Sequence, residues 1–183
     1  MKSYNNCPLK RSIQKVLWNG IKATNILGLS SPEFVANYII NLPNCKAMYL
    51  VNYFPNSELI NTNSLAGLFD MLLNRNIHVD FIDADFCDSI LSSGDDLMYV
   101  YNKSKKLGIN VTISFTFSIR GVGLEKTLEW LKSHFPEINC DKNLLSNSFE
   151  TQRRQFANIY GDCIHYRESG EQMLTGIIKI KKK

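Results

Sequence analysis

The chain lacks most of the devices by which small proteins are stapled, anchored or metallated. Its 183 residues hold five cysteines, Cys7, Cys45, Cys87, Cys140 and Cys163. They are odd in number and widely spaced, with no Cys-x-x-Cys pair. That excludes a disulfide framework, a zinc knuckle and a thioredoxin-type redox site. The histidines, His78, His134 and His165, are isolated and show no metalloprotease spacing. Five prolines and ten glycines are scattered, so there is no linker, repeat or low-complexity stretch. No run approaches the ~18 apolar residues that cross a bilayer, and residues 1–10 have no signal-like apolar core. The expectation is a cytoplasmic protein, with delivery as a secreted effector left open and no membrane span.

Charge is also sparse. The formal net charge is +4, and Lys179, Lys181, Lys182 and Lys183 account for all of it. The body is therefore neutral overall, although the sequence pI is 8.7. Residues 177–183 read as a basic, frayed tail. A nucleic-acid reader carries a basic stripe across its folded body; none is evident, so a nucleic-acid partner is not expected.

What is present is an ordinary globular composition, 44% hydrophobic and 11% aromatic. This length buries roughly two thirds of the unfolded chain's surface in one core. Residues 1–183 are expected to form a single domain. Ile13, Val16, Leu17 and Ile21 recur at helical spacing, and Gly28 is placed to close that helix. Ser30, Ser31 and Pro32 restart a helix carrying Val35, Tyr38 and Ile39, so residues 1–43 read as a helical segment. Ala47 to Phe54 and His78 to Phe86 read as strands, with Leu65, Leu68, Phe69 and Leu72 marking a helix between them. Leu97 to Leu107 reads as a helix capped by Gly108. Val111 to Phe117 alternates with period two and is the clearest strand. Leu124, Leu128 and Leu131 line a helix that Pro136 ends. Cys163 to Arg167 and Met173 to Ile180 read as a hairpin. The fold class is mixed α/β: one three-layer domain, a central mixed sheet flanked by helices.

The turn between Phe117 and Leu124 carries chemistry. A strand running through glycines into a helix amino terminus presents free backbone amides and the positive end of the helix dipole. Gly121 and Gly123 allow close backbone approach, and Arg120 adds a fixed cation. Such a site suits phosphate or pyrophosphate. The order Arg120-Gly121-Val122-Gly123-Leu124-Glu125 resembles the acyl-CoA pyrophosphate loop of GNAT-type N-acetyltransferases, Arg/Gln-x-x-Gly-x-Gly/Ala. Arg120 and Gly123 match two defined positions, and Glu125 stands where the family has a small residue. The resemblance covers roughly residues 108–183. It implies acetyl-CoA or another acyl-CoA held by Arg120, Gly121, Val122 and Gly123. It also implies a general acid toward the CoA thiolate at the end of a later helix, whose usual distance past the loop falls near Tyr160. A small-molecule or protein amine would attack the thioester, with Glu150 or His165 as candidate base.

Two other readings stand beside this one. The chain is equally legible as a non-enzymatic interaction protein, an adaptor, immunity factor or effector whose Leu/Phe/Tyr-rich helices bind a protein partner. Alternatively, Asp83 and Asp85, with Asp88, Asp95 and Asp96 following, lie at a strand's carboxyl end. There they would hold Mg²⁺ for phosphoryl transfer or nuclease chemistry, or simply cap a helix and solvate a loop. No cluster has protein-metal ligand spacing otherwise.

Overall fold

A computed structural model describes residues 8–29, 35–51, 64–141, 156–168 and 170–182. Its elements in chain order are α1 (Pro8–Leu17), β1 (Asn25–Gly28), α2 (Val35–Asn41), β2 (Ala47–Leu50), α3 (Leu65–Asn74) and β3 (Phe81–Ser89). They continue with α4 (Ile90–Leu107), β4 (Val111–Ser118), α5 (Leu124–His134), β5 (Phe156–Tyr160), β6 (Cys163–Glu168) and β7 (Glu171–Ile180). The seven strands form one sheet in the order β2-β1-β3-β4-β7-β6-β5. The first four run parallel, and β7, β6 and β5 follow as an antiparallel meander. This is the expected mixed α/β sheet, with helices on both faces.

Connectivity follows from the physics of each half. Parallel neighbours need a crossover, and here a helix lies between each consecutive pair of parallel strands. Antiparallel neighbours need only turns, and Gly161 and Gly170, both at positive φ, lie in the two tight ones. The chain leaves β1 to one side for β2 and returns to the other for β3. The reversal between β1 and β3 is the point at which open α/β sheets hold ligands, beyond the carboxyl ends of the strands.

Two layers cover the sheet. On one face α3, α4 and α5 bury the larger core, in which Leu68, Phe69, Leu97 and Leu131 meet Ile82, Ile113, Phe115 and Phe117. On the other, α1 and α2 bring Trp18 and Tyr38 against Ile26 and Phe81, and Leu9 and Ile13 against Ile164 and Tyr166. Trp18 stacks on Tyr38 at 5.6 Å and meets Phe81 edge-on at 5.2 Å. Gly108 closes α4 at φ 63°, as its place after Leu107 indicates.

Three expectations need correction. Residues 1–43 are not wholly helical: α1 ends at Leu17, and Asn25–Gly28 is the second strand of the sheet. Four residues with an apolar side chain on each face, Ile26 and Leu27, show no alternation, so a helix ending at Gly28 claimed them. The basic tail is not frayed. Ile177 to Ile180 pair with β4 from Ser114 to Val111, and the Lys182 amide donates to Asn110 Oδ1 at 2.5 Å. Finally, Tyr160 ends a strand, not a helix.

Candidate functional site

The described carboxyl rim of the sheet is built by β3, β4 and the start of β7. Ser118 pairs with Met173, and the Ile119 amide donates to the Gln172 carbonyl at 3.0 Å. That register sets Glu171 opposite the turn after β4. Gly121 and Gly123 adopt φ of 80° and 88°, with open space where a Cβ would stand. The Gly123 amide closes on the Ile119 carbonyl at 2.9 Å, and Thr127 returns its hydroxyl to the Gly123 carbonyl at 2.8 Å. The turn then enters α5, whose first amides have no acceptor within the helix. Asp88, Ser89, Ser118, Arg120, Gly121, Glu171 and Met173 enclose a pocket of about 370 Å³. That volume is within the range of small-molecule sites.

The pocket mixes signs. Arg120 Nη1 pairs with Glu171 Oε1 at 3.2 Å, and the Arg120 side chain is 80% exposed. Solvent therefore screens the pair, and it contributes little to stability. The guanidinium remains able to turn toward an incoming anion. Asp88 is exposed and accepts the Ser89 amide at 2.7 Å. The two seryl hydroxyls add neutral donors.

Of the residues singled out from sequence, Arg120 and Gly121 stand together in this pocket, with Val122 and Gly123 completing the turn. Tyr160 does not join them. It pairs with Cys163, which pairs with Gly176, which pairs with Phe115. That places it three strands from β4, about 14 Å across the sheet and about 10 Å below its carboxyl rim. His165 is buried in β6, where burial lowers its pKa, so it is not an exposed base beside the turn. Glu150 lies outside the described residues. Sequence reading missed Glu171, and it grouped Asp88 with the Asp83 and Asp85 carboxylates, not with the Arg120 turn. The Glu171 signal lay in the hairpin register, which fixes the start of β7 against the end of β4.

Asp83 and Asp85 are also relocated. Both point from β3 into the layer under α1 and α2, not out of the rim. Lys10, itself buried, pairs with Asp85. Tyr38 donates to Asp83 Oδ2 at 2.7 Å, and Trp18 Nε1 donates to Ser114 Oγ at 3.0 Å beside it. Thr116 and Thr175 share a hydrogen bond at 2.9 Å on the same face. Burial, reinforced by the Asp85 charge, pushes the Asp83 carboxyl up to about 7. An ammonium thus occupies the position beside Asp85 that a metal reading would give to Mg²⁺. Among the described residues no three His, Cys, Asp or Glu side chains gather into a metal-binding group.

No protein-family profile matches the chain, and no curated protein is significantly similar to it. Among solved structures, the N-methyltransferase NodS from Bradyrhizobium japonicum WM9 has a similar overall arrangement. Its TM-score is 0.46 at 11% identity, covering 94% of this chain and 96% of that one. A likeness at that level assigns no activity. No family profile or curated relative supports the acetyltransferase resemblance. The position of Tyr160 removes one structural companion that the Arg120 turn was expected to have, a general acid at the end of a later helix. No described helix is long and apolar enough to cross a membrane.

Proposed function

We propose that the protein is a transferase whose phosphate-bearing donor seats on the turn between β4 and α5. The observation that supports this is the rim pocket itself. It combines a glycine turn open to backbone approach, the amino end of an eleven-residue helix and a solvent-exposed arginine at the carboxyl end of a parallel strand. Each favours an anion. The fit is to one or two phosphate groups, because Glu171 already engages part of the Arg120 charge and Asp88 keeps the pocket from being uniformly positive.

In the specific form, the donor is acyl-CoA and the acceptor an amine. The thioester supplies the activated acyl group. Turn amides and Arg120 bind the pyrophosphate; the amine attacks the thioester carbonyl as the C–S bond breaks, Asp88 takes the proton that the amine loses, and that proton passes to the departing CoA thiolate. Tyr160 has no part in this arrangement.

Thermal unfolding with acetyl-CoA, CoA or ATP tests the reading. A ligand at a hundred times its Kd adds about 2.7 kcal/mol, roughly 5–10 °C for a domain of this size. Acetyl-CoA and CoA should both raise Tm, and Arg120→Ala should abolish the rise. A rise with ATP but not CoA retains the phosphate seat and removes the acyl donor. No rise with any of the three overturns the proposal.

A further inference from the structure

The amino rim of the sheet, opposite the pocket, gathers lysines from two distant segments. Lys105 and Lys106 end α4, and Lys179, Lys181 and Lys182 lie at and beyond the end of β7. All five are exposed. The β4–β7 register and the Lys182–Asn110 hydrogen bond hold the two segments side by side, with Gly108 between them. Together they line a groove of about 800 Å³, floored by Leu107, Gly108 and Ile180.

Charge in the groove is strongly unbalanced. Among the described residues Glu137 is the sole carboxylate in its lining, and it is committed to Lys105 at 2.5 Å and to the Tyr101 hydroxyl. Among the described residues no carboxylate pairs with Lys106, Lys179, Lys181 or Lys182. A ligand with several negative charges in a row would complement these four ammonium groups. The groove is concave, which suits an extended chain better than a flat bilayer. Among the described residues no aromatic side chain lines it, so none of them stacks on a base there.

We infer that this groove binds single-stranded nucleic acid through its phosphates, without regard to base sequence. The site is separate from the rim pocket and does not rest on the transferase reading. The sequence concealed it because Lys105 and Lys106 are some seventy positions away from the other three, and only the strand register joins them.

Fluorescence anisotropy of labelled 12-mers of oligo-dT, oligo-dA and oligo-U, titrated with the full chain, tests this. With four phosphates neutralised, log Kd should change with log salt at a slope of magnitude about 2.8, so binding weakens about 50-fold between 50 and 200 mM salt. The three oligomers should agree within about threefold. Lys181→Glu with Lys182→Glu should weaken binding at least 30-fold. Lys15→Glu with Lys46→Glu, exposed positions elsewhere with the same change in net charge, should have a much smaller effect. Melting curves of both double variants check that the fold is kept, and Lys181→Gln with Lys182→Gln gives the milder version of the same test. No binding at 50 mM salt and 100 µM protein, equal loss in the two reversals, or strong base preference would each overturn the inference. So would binding to phosphatidylserine vesicles without binding to the oligomers.

Discussion

Replacing Asp83 with asparagine should change how stability depends on pH more than it changes stability itself. Asp83 is fully buried between Tyr38, Ser114 and the Lys10–Asp85 pair. Its folded pKa is raised to about 7 from an ordinary value of 3.8. The folded state therefore holds a proton that the unfolded chain releases near pH 4. Between those values the folded state binds more protons than the unfolded, so stability falls as pH rises from about 4 to about 7 and then levels. With 1.36 kcal/mol for each pH unit, the ceiling is roughly 4 kcal/mol, or about 8–16 °C in Tm. The asparagine side chain has no proton to lose and still accepts the Tyr38 hydroxyl through its amide oxygen. Urea melts of both proteins at pH 5, 6, 7 and 8 are the assay. The variant should equal or trail the native protein at pH 5, where its extra amide hydrogens need acceptors. It should gain on the native protein by about 2–3 kcal/mol between pH 5 and pH 8. Parallel curves for the two proteins would refute the reasoning, because they would show that Asp83 ionises in the folded state as it does in water.

Lys10→Met should leave Asp85 buried without its ammonium partner and cost about 3–5 kcal/mol in urea denaturation at pH 8. Gly161→Ala should cost about 3 kcal/mol in Tm-derived stability. Gly161 sits at φ 57°, and an added Cβ would lie 2.3 Å from the Asn139 carbonyl oxygen. Gly121→Ala, at φ 80° with open space around it, should cost only about 1 kcal/mol in the same measurement.

The parts of the fold that were legible in sequence are those whose period is expressed on one face. In β4 the alternation from Val111 to Phe117 identified the strand, and in α4 Gly108 fixed the end of the helix. What hid was short or doubly buried. β1 is four residues long and lies between two other strands, so neither its faces nor its length distinguished it from the end of a helix. The candidate site was half legible. Arg120, Gly121 and Gly123 announced a turn before a helix because that information is local. Glu171, and the burial of Asp83 and Asp85 under Lys10, depend on strand register and on helix docking across the chain. His165 looked like a base because sequence reports its chemistry, whereas its burial is a property of the finished sheet.

The seam at which β4 meets β7 has a consequence for the protein while it is being made. β4 carries Val111, Ile113, Phe115 and Phe117 and pairs with β3 on one side. Its other edge is covered from Val111 to Ser118 by β7. On the ribosome, β4 emerges well before β7 does, so that edge stays open for seconds at ordinary synthesis rates. Its unpaired amides and carbonyls, flanked by Phe115 and Phe117, offer a template for any other extended chain. The strand made last among those described thus seals the edge most prone to mispairing.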